Sequence, residues 1–133
     1  MGSSPLIMTL SVAAGSALGG VLRYWCSGLI AERIGETFPW GTLFVNVLGS
    51  LLIGLLATVT APDARIIMAP AVRVFFLVGV FGGFTTFSSF SLQTLNLLQD
   101  GEWLFATGNI IGSVVLCMIG VWIGHTLGVA YNR

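Results

Sequence analysis

Residues 1–22, 37–62, 74–99 and 103–132 form four runs without a single charged side chain. Each reaches the roughly 20 residues that a helix needs to cross the hydrocarbon core of a bilayer. The pattern predicts an all-α membrane protein with four transmembrane helices, over about residues 5–30, 40–60, 71–99 and 103–130. What remains is a loop at residues 32–36, another at 61–70 and a tight turn at 100–102, so the chain reads as one membrane domain, residues 1–133.

Composition agrees with that reading. Hydrophobic residues make up 56% of the chain and charged residues 8%, with no lysine, which excludes a soluble domain with a solvated charged surface. The first run lacks a basic leader and a persuasive cleavage site, so it is read as a retained helix and not a secretory signal. Cys26 and Cys117 fall in or beside apolar segments and read as small packing residues. A net charge of zero with scattered arginines argues against nucleic-acid binding.

The arginines give almost no orientation. Arg65, Arg73 and Arg133 fall on one side of a four-span chain, Arg23 and Arg33 on the other. One weakly set orientation is one reading; the other is insertion both ways, giving an inverted-topology pair. Glycines four apart, at Gly15 and Gly19, Gly79 and Gly83, Gly108 and Gly112, and Gly120, Gly124 and Gly128, predict closely packed helices and self-association.

Polar groups lie inside the spans in an ordered way. Thr42, Asn46 and Ser50 fall at steps of four on one face of the second helix, and Asn109, Ser113 and Cys117 do so on the fourth. An asparagine amide in hydrocarbon needs partners, because leaving it unmet costs several kcal/mol, on the order of 2–7. Either these stripes are interhelical glue or they line a water- or ion-bearing path. His125, near the end of the fourth helix, reads as a packing or interfacial residue.

The third run carries GGFTTFSSFS, residues 82–91, with five hydroxyls, three phenylalanines and no charge. Gly82, Gly83, Thr85 and Thr86 weaken helix propensity and predict a break near the bilayer midplane, where freed carbonyls can bind a cation. Phe81, Phe84, Phe87 and Phe90 recur at steps of three. Such a stripe packs against neighbours or lipid, or else offers positive ring edges to an anion. The sequence has no metal-ligand spacing, no phosphate-binding loop and no base placed by a known motif near its serines, so an enzyme is not expected. Nor does an acid fall within the expected spans, which counts against a coupled exporter of cations, the alternative role for a small dual-topology protein. A non-transporting assembly subunit would explain the glycines but not the clustered hydroxyls. Neutral donors and aromatic edges suit a small anion that accepts hydrogen bonds strongly.

The segments GSALGGVLRYW, GTLFVNVLG and GGFTTFSSFS, in that order and in a chain of this size, resemble the Fluc fluoride channels, also called the CrcB family. The resemblance covers essentially the whole chain. It implies an antiparallel, dual-topology homodimer in the bacterial inner membrane, with two pores that export fluoride passively. By the same resemblance Asn46 points its amide into the pore, and Phe87 and Phe90 present ring edges to the ion. It also implies that Ser113, with Thr42, Ser88 and Asn109 at lower weight, belongs to the polar lining, and that Arg23 draws anions to the entrance. Finally, it implies a structural sodium ion at the dimer interface, held by main-chain carbonyls of Gly82 and Thr85 at a helix break over residues 82–85. Ser89 departs from the family pattern, where threonine is common, and keeps the hydroxyl.

Overall fold

A computed structural model describes residues 4–133. Helix α1 spans Pro5–Ile34 and α2 spans Trp40–Val59. The third span, Pro70–Gln99, is composite. It runs through α3 (Pro70–Val74), a π-helical segment (Phe75–Val80), α4 (Phe81–Phe84) and α5 (Phe87–Gln99). Helix α6 covers Trp103–Asn132. The described residues contain no strand, and four helical spans of 30, 20, 30 and 30 residues are long and apolar enough to cross a membrane. The large apolar side chains left exposed, such as Leu104, Ile111 and Trp122, suit a lipid-facing surface.

Local chemistry sets the helix ends. Ser4 caps α1, its hydroxyl accepting from the Ile7 N–H at 3.4 Å, and Pro5 occupies the first turn, where a missing N–H costs nothing. Gly35, at φ 96°, ends α1 while its N–H still donates to the Ala31 carbonyl at 2.8 Å. The helix therefore runs past residue 30, and Glu32 lies in its last turn instead of in a loop. This corrects the expectation that no acid falls within a helix, although Glu32 stays at the membrane-end turn. At the far end of α2, Arg73 supplies the cap. Its Nε donates to Thr60 Oγ1 at 3.1 Å and its Nη2 to the Ala57 carbonyl at 3.5 Å, a cation placed at a helix C-terminus.

Glycines decide which helices pair. Helix α1 lies against the third span, with Gly15 meeting the Phe75 carbonyl and Gly79, and Gly83 meeting the Ser16 carbonyl. Helix α2 lies against α6, with Gly54 on the Val121 carbonyl, Gly124 on the Leu51 carbonyl and Gly128 on Thr58. A methyl group at any of these positions would collide with backbone or a packed side chain. The glycines four apart thus join helices within the chain, except Gly108 and Gly112, at which a methyl group would meet nothing among the described residues. Where Gly15 abuts Phe75 and Gly79, the third span widens into its π-helical segment.

Adding one methyl at the α2–α6 contact tests this arrangement. Gly124→Ala is expected to destabilise the protein by about 1–3 kcal/mol through overpacking. Thr126→Ala, whose hydroxyl serves only its own helix on an exposed face, should stay within about 0.5 kcal/mol. Thermal unfolding in detergent, read by loss of the monodisperse fraction, separates the two.

Candidate functional site

Between α4 and α5 two residues leave helical geometry. Thr85 sits at φ −85°, ψ 155° and Thr86 at φ −152°, ψ 111°. Gly82 is helical, part of the turn Phe81–Phe84, so of the expected residues 82–85 only Thr85 is extended, and the extended pair reaches one residue further, to Thr86. Two extended residues inside a membrane span expose backbone groups that have no water to turn to. Asn46 of α2 answers for Thr86: its Oδ1 accepts from the Thr86 N–H at 2.6 Å, and its Nδ2 donates to the Thr86 carbonyl at 3.0 Å. The side-chain amide thereby acts like a neighbouring strand's peptide. Because one atom must accept and the other donate, this pairing also fixes which end of the amide is which.

The Thr86 side chain starts the next helix. Its hydroxyl accepts from the Ser89 N–H at 3.2 Å, an N-cap bond, donates to Ser89 Oγ at 3.0 Å and lies 3.3 Å from Ser88 Oγ. Thr85 bonds back to the Phe81 carbonyl through both its N–H, at 3.0 Å, and its hydroxyl, at 2.9 Å.

Thr86 belongs to the walls of two cavities. The smaller, about 360 Å³, gathers Asn46, Ser50, Gly82, Thr85, Phe87, Phe90, Ser113 and Cys117. The larger, about 830 Å³, opens among α1, α2 and α5 and includes Arg23, Thr42, Ser89 and Gln93. The polar stripes of α2 and α6 do meet in the smaller cavity, through Asn46, Ser50, Ser113 and Cys117. Thr42, on the Asn46 face, falls instead in the larger one with Arg23.

The phenylalanines divide. Phe90 is buried at 8% exposure and Phe87 stands out at 76%, their rings 5.1 Å apart and tilted by 52°. Asn109 lines neither cavity. It is 1% exposed, donates to Thr94 Oγ1 at 2.9 Å and accepts from Ser113 Oγ at 3.3 Å, closing the α5–α6 seam. Ser88 is exposed, and among the described residues its hydroxyl has a hydrogen-bond partner only in Thr86. His125 pairs with Thr58 Oγ1 at 2.9 Å, away from both cavities. No group of His, Cys, Asp and Glu among the described residues could hold a metal.

Two partners escaped the sequence reading. Thr86 was expected at the helix break but not as the partner of Asn46, and Thr94, on the far side of the phenylalanines, carried no expectation. The spacing of Thr94 from Phe90, one helical turn on the buried face, was its only signal.

The sequence profile described as CrcB-like protein, Camphor Resistance (CrcB), matches residues 10–125. The chain belongs to this CrcB-like family. It is similar to the fluoride-specific ion channel FluC of Rhodospirillum rubrum, 59% identical over 124 residues, which is 93% of this chain and 96% of that one. It is likewise similar to FluC of Opitutus terrae, 58% identical over 123 residues, covering 92% and 93% of the two chains. FluC of Methylocella silvestris is 51% identical over 124 residues, covering 93% and 95%. The match to the CrcB-like family contains every residue that lines both cavities, so the site described here lies wholly within the shared region. With its four apolar spans, this family member is a multi-pass membrane protein.

Asn46 has a structural duty that any substitution will disturb. Asn46→Leu strands the Thr86 N–H and carbonyl, at about 1–3 kcal/mol for each unmet group. Asn46→Asp keeps the acceptor and should fall between Leu and the unaltered residue. Thermal unfolding of the three proteins in one detergent checks that order; equal stability of Asn46→Leu and the unaltered chain would refute the clamp.

Proposed function

We propose that the protein is a passive, electrogenic fluoride channel of the bacterial inner membrane. The observation that carries this reading is its identity of 58–59%, over nearly whole chains, to relatives named fluoride-specific ion channels. The chemistry of the interior agrees with it. No carboxylate lines the smaller cavity, and the three at the larger one, Glu36, Asp100 and Glu102, come from the connecting turns. A protein that trades protons for a solute needs an acid within its path; a passive anion pore does better without one.

On this reading the chain works as an antiparallel, dual-topology homodimer with two pores. The near balance of arginines across the spans and the outward, unpacked Gly108 and Gly112 support such a pair. Each pore is lined by Phe87 and Phe90 edges, the remaining Asn46 N–H, Ser113 and Thr42. Phe87, 76% exposed in a single chain, gains a covered surface only through a partner or lipid. Arg23, half-buried on the wall of the larger cavity and free of any ion pair among the described residues, supplies the attractive charge at the entrance.

The sodium ion of this reading fits the third span. The helix stops at Phe84 and Thr86 turns its N–H to Asn46, so no donor among the described residues reaches the carbonyls of Gly82 or Thr85. Gly82 also has open space before it. Those two carbonyls, doubled by a second copy, would hold the cation at the centre of the dimer and fix how the two spans cross.

Purified protein in liposomes tests the function. Under a fluoride gradient, with potassium and valinomycin to dissipate charge, fluoride should leave rapidly and only when the ionophore is present, while chloride stays. Folded protein that releases no fluoride would overturn the channel reading and return the polar stripes to helix packing.

A further inference from the structure

The connection between α2 and the third span, residues 60–69, is unlike a water-facing turn. Ile66 is 37% exposed, Ile67 is 96% exposed and Met68 is half-buried, three apolar side chains in succession. Such a run costs free energy in water and recovers it against acyl chains.

Hydrogen bonds hold the loop in one shape. Asn132, at the end of α6, ties it to α2: its Oδ1 accepts from the Arg65 N–H at 3.3 Å and its Nδ2 donates to the Thr58 carbonyl at 3.0 Å. The Ile66 N–H donates to the Val59 carbonyl at 3.3 Å, and the Ala64 N–H to the Ala61 carbonyl at 2.9 Å. The backbone around Arg65 is thereby fixed while its guanidinium stays free. That side chain is exposed and has neither a hydrogen bond nor an ion pair among the described residues. Arg73 differs, because its Nε and Nη2 are spent on capping α2.

Charge is divided between the two ends of the bundle. At the loop end Arg65, Arg73 and Arg133 stand against one carboxylate, Asp63. At the other end Arg23 and Arg33 stand against Glu32, Glu36, Asp100 and Glu102. Only the loop end is basic.

We propose that this loop is a docking site for an anionic phospholipid. Arg65 takes the headgroup phosphate, which a planar guanidinium can grip through two N–H groups, and Ile66 and Ile67 enter the acyl boundary beside it. The division of charge selects the occupant: a basic end attracts a lipid of net negative charge over a zwitterionic one with the same chains. The apolar pair makes a lipid, and not a free phosphate ion, the fitting partner. Lipid held here ties the start of the third span, whose Arg73 also caps α2, to one depth in the bilayer. The inference does not depend on the fluoride-channel reading.

Native mass spectrometry of the full-length protein, released from micelles with equal amounts of phosphatidylglycerol and phosphatidylcholine, tests the site, with size exclusion confirming an unaltered profile for each variant. The unaltered chain should retain phosphatidylglycerol over phosphatidylcholine. Arg65→Gln should cut that preference about fivefold, the contribution of one arginine near an anionic surface. Ile67→Asn should lower retention of both lipids and leave their ratio as it was. Arg33→Gln, the same charge change at the acid-rich end, should leave the preference intact, and excess inorganic phosphate should not displace the lipid. The proposal is overturned by an unaltered chain without preference, by equal losses in Arg65→Gln and Arg33→Gln, or by lipid retention that Ile67→Asn does not change. Displacement by inorganic phosphate would make Arg65 a site for the free ion and overturn the lipid assignment.

Discussion

The Asn46–Thr86 pairing is the interaction on which the rest of the architecture depends. A membrane span can leave helical geometry only where its freed peptide groups find partners, since the surrounding hydrocarbon has none. One amide side chain, entering from α2, meets both groups of the residue that needs it most. Several consequences follow from that contact. Helix α5 starts afresh with Thr86 as its cap, Phe87 and Phe90 are re-aimed relative to α4, and a wall appears between two cavities. Asn46 is therefore a poor probe of ion contact by itself, because its loss disturbs the backbone before it changes any pore.

The glycine contacts make this pairing possible. Asn46 reaches the third span only because α2 sits close to it, and α2 is in turn held by α6 through Gly54, Gly120, Gly124 and Gly128. Gly49, one turn beyond Asn46, lies against the side chains of Thr85 and Phe84 and would be blocked by a methyl group. On the other side, α1 holds the third span through Gly15, Gly19, Gly79 and Gly83. Without hydrophobic force between helices in lipid, such close backbone approach supplies the packing energy. The same contacts leave the outer apolar side chains to the bilayer.

The spans, the polar stripes and the weakness at residues 82–86 were legible because charge, helical periodicity and helix propensity are written one residue at a time. The partners were not. Asn46 clearly needed hydrogen bonds, yet nothing in a single sequence says that Thr86, 40 residues on, would take both. Asn109 looked like a twin of Asn46, but it closes a seam with Thr94 because α5 and α6 are joined by the tight turn at Gly101, which places those residues side by side. Helix α1 ran past its expected end because Glu32 and Arg33, read as a loop by charge, continue a helix until Gly35 turns it at positive φ.

On the proposed channel reading, an anion path balances two demands: removing water from an ion is costly unless fixed dipoles replace it, yet dipoles that hold it too well stop it from moving on. In the smaller cavity the hydroxyls of Ser50, Thr85 and Ser113 donate to partners within the fold. What is left there is phenyl edges and one spare Asn46 amide proton. Under that reading, the bonds that hold the third span and its neighbours together are also what keep these donors from trapping an ion.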